Sequence, residues 1–226
     1  MAEQEPSNDR RTFLSNIAVS AAALGFANVA TAAQAADNSP SIEAPTEFQV
    51  WLNSIAGKHR QVYDAPEPNH GMALIWSYVY LLTAAQGYNV PESDVGVVVV
   101  LRHAAIPIGF QDALWAKYKL GEVFKINDPA TKTAALRNPF SNINPDDMPI
   151  PDAALDKLVT RGVKFGICNM AITVYSGRVA KQMDLPAEKV KQEWIEGVLP
   201  GVTVVPSGVV AVNGAQSRGC TYCFAG

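Results

Sequence analysis

Histidine and cysteine are scarce in this chain, three of each among 226 residues. The histidines, His59, His70 and His103, do not fall at the close spacing of a three-histidine metal site, so no metal centre is expected. There is no GxGxxG fingerprint and no P-loop, which removes the common sequence signatures of nucleotide chemistry and leaves any cofactor unknown. The cysteines fall late, at Cys168, Cys220 and Cys223, and their odd number leaves one thiol over if two of them pair. Basic clusters are also missing. Lys and Arg number 18 against 21 Asp and Glu, a formal net charge of −3, so nothing marks a nucleic-acid surface. Beyond residue 35 no apolar run is long enough to span a bilayer. The nearest, Gly71 to Gly87, is short and carries Ser77, Tyr78, Tyr80, Thr83 and Gln86, which reads as a core helix.

What the chain does carry begins at Arg10-Arg11-Thr12-Phe13-Leu14. A mild, Ala-rich, uncharged run from Ile17 to Ala33 follows, and Ala33-Gln34-Ala35 makes an A-x-A cleavage site. Charged start, apolar middle and small-residue end predict an export signal over 1–35, and the arginine pair predicts the twin-arginine route to the periplasm. That route carries folded proteins. Glu3, Glu5 and Asp9 make the extreme N-terminus more acidic than such signals usually are.

Residues 36–57 read as a mobile, Pro-containing leader followed by a short helix capped at Thr46. Residues 58–226 read as one α/β domain. Its strands are predicted at 59–64, 95–102, 163–168, 202–205 and 220–224. The second of these, Val95-Gly-Val-Val-Val-Val-Leu101, is β-branched on both faces, the mark of a central parallel strand covered on both sides. Helices are predicted over 71–86, ended by Gly87, and over 111–120, 151–161, 169–183, 186–196 and 208–218. Residues 127–150, rich in Pro, Asn and Asp, read as a long irregular insertion with one helical turn at 131–137. Strands alternating with helices predict a three-layer α/β/α fold around a mainly parallel sheet of about five strands, of the flavodoxin or Rossmann kind.

Ligands of such sheets bind beyond the carboxyl ends of the strands. The strand ends here are Asp64, Arg102-His103, Cys168-Asn169 and, after Pro206, Ser207-Gly208. Cys168 stands immediately before a predicted helix, where first-turn amides and the helix dipole favour a thiolate. His103, at the neighbouring strand end, is a candidate to hold or exchange its proton. Burial as a small apolar residue is the alternative for Cys168. Asp64, Arg102, Asn169, Ser207 and Gly208 are candidate ligand-binding residues of the same edge. Cys220-x-x-Cys223 is a candidate redox pair, although on a strand two positions three apart face opposite sides.

The segments Gly162-Val-Lys-Phe-Gly-Ile-Cys168-Asn-Met-Ala171, Leu199-Pro-Gly-Val-Thr-Val-Val-Pro-Ser-Gly-Val-Val-Ala211 and Val97-Val-Val-Val-Leu-Arg-His103 together resemble the DsrE/DsrF-like sulfur-relay family. The resemblance runs over roughly residues 58–226. It implies a homo-oligomer, trimeric or hexameric, and a strand-end cysteine that carries sulfur as a persulfide, with Cys168 at the matching position. It also implies a sulfur-donor or acceptor protein as partner. Two functions follow as expectations: a periplasmic thiol or sulfur carrier, or a non-catalytic module binding a small ligand or metal in the same cleft.

Overall fold

The computed structural model describes residues 46–226. The export signal expected at 1–35, and the leader up to residue 45, lie outside the described residues. Helix α1, Glu47–Asn53, opens on a capping box: Thr46 Oγ1 accepts the Gln49 amide at 3.2 Å, and Gln49 Oε1 accepts the Thr46 amide at 2.8 Å.

Five strands form one sheet in the order β4-β3-β2-β1-β5, every neighbouring pair parallel. They are β1 His59–Ala65, β2 Val95–Leu101, β3 Lys164–Cys168, β4 Val202–Val205 and β5 Thr221–Phe224. The alternation of β2 explains its place at the centre. Val97, Val99 and Leu101 face one layer, with Leu74 and Leu81 of α2 (Met72–Tyr88), Leu158 of α5 (Leu155–Thr160), Ile172 of α6 (Asn169–Gln182) and Trp194 of α7 (Ala187–Glu196). Val98 and Val100 face the other, with Trp51 of α1 and Ala211 and Ala215 of α8 (Gly208–Ser217). The fold is therefore three-layered, α/β/α. Trp51 ties α1 to the sheet by donating its indole N–H to the Phe165 carbonyl at 3.1 Å.

The order of strands follows from the handedness of parallel crossovers. From β1 to β4 the chain steps in one direction, and its crossover helices lie on the first face. From β4 it returns across the sheet to β5, and α8 lies on the second face.

Several boundaries differ from expectation. Gly87 does not end α2, which continues to Tyr88 and stops at left-handed Asn89 (φ 52°). The helix expected over 151–161 is a 3-10 turn, Pro151–Ala153, and then α5, because Ala154 is extended (ψ 145°). The helix near 111–120 is split into α3, Asp112–Tyr118, and α4, Leu120–Val123, by left-handed Lys119. The helical turn expected at 131–137 does not form. Asp128 instead accepts the amides of Ala130 and Thr131, and Lys132 takes a φ of 61°. The insertion is held by ion pairs and amides. Arg137 spans Asp128 at 2.9 Å and Asp147 at 2.6 Å, and Asn138 donates to the carbonyls of Ile108 and Phe110.

Candidate functional site

Neighbouring strands β3 and β4 send their chains to opposite faces, β3 into α6 and β4 into α8. Between two such strand ends a parallel sheet opens a crevice. A cleft of about 440 Å³ lies there, lined by Arg102, His103, Cys168, Met170, Ala171, Val174, Tyr175, Ser207, Gly208 and Val209. Five residues expected at the site from sequence, Arg102, His103, Cys168, Ser207 and Gly208, therefore meet on one cleft.

Cys168 ends β3 and caps α6. Its Sγ accepts the Ala171 amide at 3.3 Å, and the residue is 6% exposed. Ser207 caps α8 in the same manner, its Oγ accepting the Val210 amide at 3.3 Å. Gly208 is demanded by its neighbour: a Cβ there would lie 2.5 Å from Arg102 Cβ.

Asp64 does not line the cleft. It stands behind, 5% exposed, and positions Arg102 through a two-pronged ion pair, Nε to Oδ1 at 2.6 Å and Nη2 to Oδ2 at 2.9 Å. Its Oδ2 also accepts the Tyr222 hydroxyl at 2.9 Å. The bond to Asp64 holds the Arg102 guanidinium above its ordinary range. Burial, and then the bond to Asp64, raise the Tyr222 phenol, so it stays protonated and donates at neutral pH.

His103 sits on the cleft with a left-handed backbone (φ 50°), which a non-glycine residue adopts at a cost. Both ring nitrogens are engaged. Nδ1 lies 3.1 Å from Glu67 Oε1, and Nε2 lies 3.2 Å from the Tyr175 hydroxyl. A carboxylate only accepts, so Nδ1 carries the proton and, in the neutral ring, Nε2 accepts from Tyr175. The expected partnership of His103 with the Cys168 thiol is thus replaced by a chain from Glu67 through His103 to Tyr175. Burial raises the Tyr175 phenol, keeping its proton in place for that bond.

The other expectations separate from the cleft. Asn169 begins α6 but is not among the lining residues, and its buried Oδ1 has no hydrogen-bond partner among the described residues. Cys220 and Cys223 are not brought together. Cys220 packs with Val62 and Trp51 on one face of the sheet, while Cys223 packs against the core of the other. Cys220 stands one residue before β5 and Cys223 within it, on opposite faces of the sheet, and all three cysteines are free thiols. Burial raises both Cys220 and Cys223 above the ordinary thiol range. His59 stacks on Tyr88 at 4.1 Å, away from the cleft. Among the described residues no three His, Cys, Asp or Glu side chains gather as a metal site.

Sequence reasoning missed Tyr175, Glu67 and Tyr222. For Tyr175 a signal existed: Ala171, Val174 and Tyr175 follow Cys168 at helical spacing and so share its face of α6. Glu67 lies in a loop and Tyr222 on an edge strand, where spacing carries no comparable signal.

No family model matches the sequence, and no curated protein is similar to it. Among solved structures, a protein of unknown function from Methanobacterium thermoautotrophicum, MTH1491, is similar over 74% of this chain and 99% of its own, at 17% identity and a TM-score of 0.37.

Proposed function

We propose that the protein is an exported thiol protein of the DsrE-like kind that carries sulfur on Cys168. The observation that carries this reading is the placing of Cys168: its sulfur caps a helix at the strand-end crevice and shares that crevice with Arg102 and His103. In the proposed step a Cys168 thiolate attacks the outer sulfur of a donor persulfide. A new Sγ–S bond forms, the donor's S–S bond breaks, and the donor leaves as a thiolate. The periplasmic address rests on the Arg10-Arg11 signal, and the donor or acceptor is a partner protein. A homo-oligomer, trimeric or hexameric, agrees with the exposed apolar side chains Met170, Val209, Val210 and Phe224 at the same edge of the sheet. The test is intact mass of the protein after incubation with a persulfide donor. One added sulfur, removed by dithiothreitol and absent in Cys168→Ser, supports the reading; an unlabelled Cys168 ends it.

A second reading, a binding module without chemistry, is favoured by the apolar walls of the cleft and the burial of Cys168. Under that reading the cleft takes its ligand with all three thiols inert.

A further inference from the structure

The cleft is walled by carbon, and the one fixed charge among its lining residues, that of Arg102, is paired. Met170, Ala171, Val174, Val209 and the ring of Tyr175 line it. Arg102 commits two nitrogens to Asp64, a carboxylate withdrawn from solvent, and His103 lies between Glu67 and Tyr175. The Ser207 hydroxyl accepts an amide of its own helix. A ligand with a net charge would lose its water on entry and meet no uncommitted opposite charge, which is unfavourable. An apolar body gains for each carbon it buries. The volume, about 440 Å³, suits a small molecule.

We propose that the cleft binds an uncharged, apolar molecule of low molecular mass containing a sulfur–sulfur bond, of the class of small organic disulfides and trisulfides. This rests on the reading of Cys168 as the reacting thiol. The Cys168 thiolate attacks one sulfur of the ligand along its S–S axis. A bond forms from Sγ to that sulfur, the ligand's S–S bond breaks, and the departing sulfur leaves with the electron pair as a thiolate or persulfide anion, which takes its proton from water. The Cys168 sulfur is formally oxidised by one electron and the departing sulfur reduced by one, so the exchange balances with no outside oxidant or reductant. The apolar walls select the ligand; the thiol only reads its sulfur.

The experiment treats the full chain with three methanethiosulfonates that differ in the group transferred: benzyl, sulfonatoethyl and trimethylammonioethyl. Labelling of Cys168 is followed by peptide mass spectrometry, and each rate is divided by that reagent's rate with free cysteine. The benzyl reagent is expected to be favoured by about tenfold over either charged one, a ratio that one or two buried methylene groups supply. Val209→Asp is expected to abolish this preference. The position is exposed and lies in the first turn of α8, where an acid is tolerated, so the variant folds. Equal rates, or a faster charged reagent, overturn the ligand class and leave the thiol reading standing. Silence of Cys168 toward all three overturns the covalent step and the thiol reading together. A second measurement isolates binding from chemistry: Cys168→Ala is titrated with benzyl alcohol, benzoate and benzylammonium while the amide resonances of Ala171, Val174 and Val209 are followed. Shifts with benzyl alcohol alone support the apolar class. Shifts with either ion at lower concentration, or none with any probe, overturn it.

Discussion

Replacing Gly208 by alanine isolates the joint between α8 and the Arg102–Asp64 pair. The new Cβ would stand 2.5 Å from Arg102 Cβ, 2.8 Å from its Cδ and 3.1 Å from its Cγ. Cβ is fixed by the backbone of the strand end, so a rotamer change of the guanidinium gives no relief, and either Arg102 or the first turn of α8 has to move. Overpacking of this kind costs about 1–3 kcal/mol. The better helix propensity of alanine returns at most about 1 kcal/mol. With that return taken in full the net loss is about 0–2 kcal/mol, and a contact with a backbone-fixed Cβ puts it toward the upper end. The assay is urea denaturation followed by tryptophan fluorescence, where the midpoint falls at unchanged slope. A double-mutant cycle locates the cause. In an Arg102→Gly background the Cβ and the stem are both gone, and Gly208→Ala becomes neutral or stabilising, a coupling of about 1 kcal/mol or more. Gly208→Ala as stable as the parent, or an equal loss in both backgrounds, refutes the reasoning.

Tyr222→Phe removes one donor from Asp64 and is expected to lower stability by about 0.5–1.5 kcal/mol in the same assay; an unchanged midpoint would show that water replaces the phenol. Burial raises Tyr63, Tyr80, Cys220 and Cys223, so the folded state holds these protons more tightly than the unfolded chain. The stability they contribute is present at neutral pH and falls as pH rises past the ordinary thiol and phenol values of about 8.5 and 10, and a flat denaturation profile from neutral to strongly alkaline pH contradicts this. Arg137 holds the Asp147 carboxyl below its usual range, so its contribution is complete above about pH 4 and is lost as acid protonates it. Pepsin cleavage of the insertion at 127–150 is therefore expected to accelerate with acidity in the parent, and to be fast throughout the acid range in Arg137→Gln; identical digestion of the two proteins counts against the clamp. Arg10→Lys with Arg11→Lys is expected to stop export while leaving folding intact, and continued export of that variant excludes the twin-arginine route.

The parts of the fold that are legible in the sequence are those whose burial pattern has one solution. Val97 to Val100 are covered on both faces, which only a central parallel strand provides, and the helices between strands force the crossover direction. The strand-end residues Arg102, His103, Cys168, Ser207 and Gly208 were legible for the same reason, since topology alone puts them on one edge. Loop-borne partners were not. Asp128 captures its own backbone, Glu67 reaches His103 from a connection, and Tyr222 reaches Asp64 from an edge strand; no periodicity encodes these. The Cys220–Cys223 pair misleads because CxxC suggests proximity, while along β5 and the residue before it the same spacing divides the two thiols between faces.

The choice of cysteine at position 168 is the feature that packing explains least. The position demands an N-cap, because the Ala171 amide needs an acceptor. Serine meets that demand well, as Ser207 does for α8, whereas cysteine is not a favoured cap. The position also faces the core, but there a thiol offers little that alanine or valine lacks. A serine at 168 would find the Ala171 amide ready, so its hydroxyl is not buried without a partner, and the fold is expected to tolerate it. Stability is therefore a poor guide to the role of this residue. What serine cannot reproduce is nucleophilic sulfur at a crevice that the crossover of β3 and β4 opens, and it is there that the reactivity of Cys168 has to be measured.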